Sequence, residues 1–197
     1  MCYTSRMSSA VLQRQLHLIG GRAHPALAKD VAKRLGVELC DINLGTFANG
    51  EISVKLGETI RGADVFVLQT HSRNVNEAIM EQAIMIDACQ RASAANITAV
   101  CPFMGYARQD RKSSGREPIT ARLVVDILAK AGADRIMSVD LHANQIQGFF
   151  DGPFDHLVGM PILTKYIVDN FNLDDLVIVS PDAGRAKTAE RYSSFLG

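Results

Sequence analysis

The sequence predicts an α/β fold built on a mostly parallel sheet flanked by helices. Two observations carry that reading. Short β-branched runs alternate with longer segments of helical period, the pattern of repeated strand–helix units. The strand candidates are compact apolar runs, as strands covered on both faces tend to be. The 197 residues, 47% apolar and 21% charged, have the composition of an ordinary globular protein with ample material for a core.

Taken in order, Leu16 to Ile19 is a buried strand ended by Gly20-Gly21, and Pro25 to Leu35 is a helix closed by Gly36. Val37 to Ile42 and Ile52 to Leu56 read as strands, with Asn49-Gly50 as the turn before the second, so a hairpin is expected. Asp64 to Gln69 is a strand, followed by a long helix from about Asn74, its N-cap, to Ala94. Ile97 to Pro102 is the next buried strand. The helix Ile119 to Ala131 has one broad apolar face and ends at Gly132. Arg135 to Leu141 is a strand, Pro161 to Asn170 a helix, Leu176 to Ser180 a strand and Gly184 to Phe195 a helix. Three units follow: a disordered lead-in over 1–15, a first domain over 16–158, and 159–197, which either completes the first sheet or, as the favoured reading, opens an incomplete second domain.

Charge excludes some partners. Lysine plus arginine number 21 and aspartate plus glutamate 21, so a nucleic-acid binder with a basic excess is not expected. No apolar run approaches the roughly 20 residues of a spanning helix, so no membrane partner is expected. The four cysteines, Cys2, Cys40, Cys89 and Cys101, show no CxxC spacing. A reducing cytoplasm is the simplest setting, and the spacing points to no zinc site.

Chemistry is expected in two places above all. Phe103 to Pro118, between a strand and a helix, is too long for an ordinary connection and holds Arg108, Asp110, Arg111, Lys112, Arg116 and Glu117. It leaves the carboxyl end of a strand, where open α/β sheets bind ligands, and its cations suit a polyphosphate. A charge run placed elsewhere would read as a solvated loop. Asp140 and His142, two apart at the end of the next strand, project together beyond the sheet. Asp151 and Asp155 are expected to return to the same region, giving the oxygen donors a Mg²⁺-nucleotide site needs, with His142 on phosphate or on metal-bound water.

Two weaker signals accompany them. Phe47-Ala-Asn-Gly-Glu51 offers an aromatic and hydrogen-bonding groups for a base, although Asn-Gly alone is only a turn signal. Ser180-Pro-Asp-Ala-Gly-Arg185 runs into a helix start able to bind phosphate, with Asp182 as a possible metal ligand. Neither a P-loop nor a G-x-G-x-x-G fingerprint occurs, and no G-x-S-x-G supports a hydrolase.

Together, Phe47 to Glu51, Gly105-Tyr-Ala-Arg-Gln-Asp-Arg-Lys112, Asp140-Leu-His-Ala-Asn-Gln-Ile-Gln-Gly-Phe-Phe-Asp151 and Ser180-Pro-Asp-Ala-Gly184 resemble ribose-phosphate pyrophosphokinase, over about Leu16 to Gly197. The resemblance implies a phosphoribosyltransferase-like fold. It implies transfer of the diphosphoryl group of Mg-ATP to ribose 5-phosphate, giving phosphoribosyl pyrophosphate and AMP, in a homo-oligomer such as a hexamer built from dimers. By the same resemblance Arg108 and His142 are the catalytic residues. Phe47, Asn49, Gly50 and Glu51 bind adenine, reaching a neighbouring subunit's site, while Arg108, Gln109, Asp110 and Arg111 hold the ATP phosphates. Asp140, His142, Asp151, Asp155 and Asp182 fall on positions linked to Mg²⁺, and Thr59, Arg61 and Arg116 match an allosteric region loosely.

Two departures from the family pattern stand out. Arg185 takes the place of the second glycine after Ser-Pro-Asp-Ala. The family's mobile Lys/Arg loop and acidic ribose-phosphate loop do not occur in the sequence, so an inactive or nearly inactive fragment is expected. A non-catalytic regulatory subunit is the runner-up, and a phosphoribosyltransferase, which would need a Thr-Gly-rich acidic loop, ranks third.

Overall fold

The computed structural model describes residues 14–196. The expected lead-in falls outside the described residues except for Arg14 and Gln15. Arg14 Nη1 lies 3.3 Å from Asp64 Oδ1, and the Gln15 carbonyl accepts the Asp64 N–H.

Seven strands and five helices follow: β1 (Leu16–Gly20), α1 (Pro25–Leu35), β2 (Ile42–Thr46), β3 (Ile52–Leu56), β4 (Asp64–Leu68), α2 (Val75–Arg91), β5 (Asn96–Cys101), α3 (Thr120–Ala131), β6 (Arg135–Val139), β7 (Phe154–Leu157), α4 (Met160–Asn170) and α5 (Ala186–Leu196). Strands β1-β4-β5-β6-β7 form one five-stranded sheet, parallel throughout, and β2 and β3 form a separate antiparallel hairpin. The expected fold class holds.

Successive residues of the parallel strands serve opposite faces. Ile19 and Val67 enter the main core with the apolar faces of α2 and α3, including Ile86, Val125 and Leu128. Leu18 and Leu68, their neighbours in sequence, pack instead with Ala28 and Ala32 of α1. Helix α1 begins where Pro25 costs no hydrogen bond and the His24 ring accepts the Leu27 N–H at 3.1 Å; it ends at Gly36, in the left-handed region at φ 68°. The hairpin packs back on α2 through its apolar residues, and Gly50 (φ 93°) makes its turn.

Four sequence expectations need correction. Val37 to Ile42 is not a strand; only Leu39 bridges to Leu18, and the strand begins at Ile42, where an antiparallel partner exists. Leu176 to Ser180 is irregular, with Val177 77% and Val179 79% exposed: β-branched residues alone do not hold a strand that has no neighbour to pair with. Asn74 occupies the cap of α2 at φ 46° but makes no side-chain capping bond, and the helix stops at Arg91 rather than Ala94. Strand β7, short and half-buried, carried too little apolar periodicity to be expected.

Candidate functional site

The carboxyl ends of β5 and β6 open into a pocket of about 580 Å³. Arg108 and Gln109 line it from the loop after β5, and Asp140 and His142 from the end of β6. The two groups singled out in the sequence therefore meet on one rim. Tyr106, Asn76 at the start of α2, and Arg185 complete part of the wall.

Two residues of this wall are held in the left-handed backbone region without being glycine. Tyr106 sits at φ 60° and Asp140 at φ 47°. For residues with a Cβ this costs roughly 1–3 kcal/mol, and such strain persists where surrounding contacts over-determine it, often at binding sites. Asp140 is fixed by its N–H to the Leu157 carbonyl at 2.9 Å, while its Oδ1 accepts the Gly159 N–H at 3.1 Å. The Tyr106 hydroxyl donates to Asn76 Oδ1 at 2.5 Å.

A buried polar spine holds the loop from below. Gly105 donates its N–H to His71 Nδ1 at 3.1 Å, and His71 Nε2 donates to Gln82 Oε1 at 2.9 Å. Gln82 in turn donates to the carbonyls of Val67 and Val100, tying α2 to β4 and β5. Glycine is required at 105, because a Cβ would stand 2.7 Å from Val75 Cγ1 and 3.1 Å from His71 Cβ.

Burial favours the neutral imidazole and pushes the His71 pKa down from 6.5 to about 4; the Gln82 bond opposes this only in part. Below about pH 6.5 the unfolded chain binds a proton that the folded chain refuses until about pH 4. Stability is therefore full above pH 6.5 and falls toward pH 4, by about 3 kcal/mol in all. Urea unfolding at pH 7 and pH 4.5 should show this slope, and His71→Gln should flatten it; an unchanged slope in the variant would place the acid sensitivity elsewhere.

The remaining loop residues divide by role. Asp110 is buried and accepts from Gln145 Nε2, so it braces the loop against the 3₁₀ turn Asn144–Phe149. Gln109 does double duty: it lines the pocket while its side-chain oxygen accepts from the Thr120 hydroxyl at 2.5 Å and its carbonyl from the Ala121 N–H at 3.2 Å. At the tip, Glu117 accepts from the N–H and hydroxyl groups of Ser113 and Ser114. These bonds, that of the Ser114 hydroxyl first, push its pKa down to about 2. Arg111, Lys112 and Arg116 are exposed and stand outside the pocket wall.

The expected acidic cluster does not assemble as anticipated. Asp151 lies in the turn preceding β7, at the amino end of the sheet, and Asp155 pairs there with Arg135 at 2.7 Å. The parallel course of β7 beside β6 explains this, since the segment that enters β7 must first return to the opposite rim. Asp182 accepts the Arg185 N–H at 3.0 Å as the cap of the 3₁₀ turn Ala183–Arg185 and does not line the pocket, whereas Arg185 does. Phe47, Asn49, Gly50 and Glu51 sit at the exposed tip of the hairpin, where the Glu51 N–H donates to Asn49 Oδ1 at 3.2 Å, and none lines the pocket. Thr59 and Arg61 are exposed before β4, at the amino rim, whereas Arg116 follows the carboxyl end of β5.

Residues 16–132 match the family model described as the N-terminal domain of ribose phosphate pyrophosphokinase. A ribose-phosphate pyrophosphokinase of Bifidobacterium longum is 59% identical over 197 residues, covering 97% of this chain and 58% of that protein. One from Mycobacterium tuberculosis is 56% identical over 185 residues, covering 94% of this chain and 57% of its own length. The crystal structure of phosphoribosylpyrophosphate synthetase from Mycobacterium smegmatis superimposes with a TM-score of 0.90 at 55% identity, covering 93% of this chain and 62% of that one. The chain thus spans less than two thirds of the length of these relatives. With a family model aligned over more than half its residues, and with the loop and strand-end motifs at one pocket, the chain belongs to the ribose-phosphate pyrophosphokinase family.

Proposed function

We propose that this chain supplies the nucleotide-binding part of a ribose-phosphate diphosphokinase, holding Mg-ATP while the β,γ-diphosphoryl group passes to the anomeric hydroxyl of ribose 5-phosphate. AMP leaves and phosphoribosyl pyrophosphate forms. The observation that carries this is the meeting of Arg108 and Gln109 with Asp140 and His142 around one pocket.

Transfer of this kind needs little covalent chemistry from a protein; it needs position and charge neutralisation. The Arg108 guanidinium, exposed and without a hydrogen-bond partner among the described residues, offers paired donors to phosphate oxygens. His142 stands exposed two residues from Asp140 and is placed to donate to a phosphate. The donor set fits Mg²⁺, which takes one or two carboxylates along with phosphate oxygens and water: Asp140 is an exposed carboxylate in the wall, and among the described residues only one of its oxygens accepts a hydrogen bond. The chemistry a bound Mg²⁺ supplies is neutralisation of the phosphate oxygens. Asp151, Asp155 and Asp182 have no part in this ligand set.

The exposed hairpin tip around Phe47 is proposed to serve the adenine of a neighbouring copy in a homo-oligomer, since it does not reach its own pocket. Thr59 and Arg61 at the amino rim and Arg116 beyond the carboxyl end of β5 are proposed to meet across such an interface. We place the division between two domains at 158/159, before α4. Among the described residues no helix is long and apolar enough to cross a membrane, and Cys40, Cys89 and Cys101 are free and buried, which suits a reducing cytoplasm.

Calorimetric titration of Mg-ATP tests the reading. Arg108→Ala should weaken binding roughly ten- to a hundredfold, the worth of a charge-assisted hydrogen bond. Replacement of Lys33, exposed on α1, should change nothing. With ribose 5-phosphate added, these 197 residues should release little AMP, because the ribose-phosphate grip is absent from their sequence. Equal affinities for wild type and Arg108→Ala would overturn the assignment.

A further inference from the structure

On the amino side of the sheet, far from the pocket, three segments bring together an imidazole, a thiol and a carboxylate. His17 lies on β1, Cys40 just before β2 and Glu58 just after β3. One ligand atom from each lies within 4.8 Å of the other two. His17 Nδ1 is 3.1 Å from Cys40 Sγ and 3.8 Å from Glu58 Oε2. Around a tetrahedral Zn²⁺ with ordinary bond lengths, the nitrogen–sulfur and nitrogen–oxygen separations are about 3.6 and 3.4 Å. Changes of roughly half an ångström would therefore bring both histidine separations to these values, and the third pair, sulfur and carboxylate oxygen, lies within 4.8 Å.

The surroundings are already arranged. The Cys40 N–H donates to the Leu18 carbonyl at 2.9 Å, which fixes the cysteine against β1. Glu58 Oε1 accepts the Asp41 N–H at 2.8 Å, leaving Oε2 turned toward the histidine, an outer-shell contact of the kind that orients a ligating carboxylate. His17 and Cys40 are each 7% exposed, while the Glu58 side chain is 41% exposed and marks the way in.

We propose that His17, Cys40 and Glu58 form a divalent-metal site of zinc type, with a fourth position open to water. A nitrogen, sulfur and carboxylate donor set favours Zn²⁺ over Mg²⁺, which keeps to oxygen. Binding forms a metal–sulfur bond and releases the thiol proton to water, with no change of oxidation state. Without a cation, burial first and the Glu58 contact second hold the Cys40 pKa up at about 12, so the group rests as a neutral thiol. Because Cys40 and Glu58 stand at the two feet of the β2–β3 hairpin, the ion would staple both feet to β1. Sequence spacing gave no hint of this, since each ligand comes from a different segment.

Co²⁺ titration of the full chain, stripped beforehand with a chelator, tests the site. One equivalent should raise an intense near-ultraviolet thiolate-to-cobalt charge-transfer band, and Zn²⁺ should abolish it. Glu58→Gln, at an exposed position, should weaken Co²⁺ binding at least about tenfold; Cys40→Ser should remove the band and Cys2→Ser retain it. Circular dichroism checks the fold of each variant. Should Cys40→Ser fail to fold, Glu58→Gln and Cys2→Ser decide. Absence of the band, its loss in Cys2→Ser, its survival in a folded Cys40→Ser, or an unchanged affinity in Glu58→Gln would overturn the proposal.

Discussion

Asp140→Asn is expected to lower the affinity for Mg-ATP roughly ten- to a hundredfold while leaving the fold intact. Asparagine tolerates the left-handed backbone that Asp140 adopts at φ 47°, and its side-chain oxygen can still accept the Gly159 N–H. The substitution therefore removes charge and little else. Titration of ATP with and without Mg²⁺ separates two outcomes. If Asp140 helps hold the ion, the variant loses the gain in affinity that Mg²⁺ confers. If affinity falls equally under both conditions, Asp140 acts on the nucleotide alone and the metal assignment fails.

The largest loss of stability is expected at Glu81 on α2, which is 1% exposed. Its carboxylate accepts from the Arg22 N–H at 2.7 Å, from Arg22 Nε at 2.5 Å and from Gln69 Nε2 at 2.8 Å. Glu81→Ala leaves three donors without their acceptor and should destabilise by about 3 kcal/mol, the lower end for a broken buried pair. The lower end applies because the Arg22 side chain is 35% exposed, so water takes over part of what the carboxylate did. Denaturant unfolding monitored by circular dichroism gives the value; a loss below about 1 kcal/mol would show that water and neighbouring groups replace the carboxylate.

The sequence disclosed the scaffold wherever one element's own residues decide its form. Helix α1 begins and ends where Pro25 and Gly36 stand, and β3 keeps its expected limits. It also disclosed the site wherever position along a strand was enough, so that Arg108 and Asp140 could be placed on one rim. It did not disclose what depends on return paths. Asp151 and Asp155 read as companions of Asp140 until the parallel course of β7 took them to the other rim. The His71–Gln82 support was hidden because a histidine and a glutamine eleven residues apart carry no local signature. Arg185 was visible only as a departure from a glycine pattern, and its place in the pocket wall follows from folding alone.

The strand order has a consequence for how the molecule comes into being. Among the described residues β1 pairs along its length only with β4, and its one other sheet contact is the single bridge from Leu18 to Leu39. A ribosome delivering the chain from its amino end must release Leu16–Gly20 long before Asp64–Leu68 exists to receive it. Closing so wide a gap before any ladder bond repays it slows assembly. Leu16–Gly20 is therefore the strand of this sheet that waits longest for its partner as the polypeptide emerges.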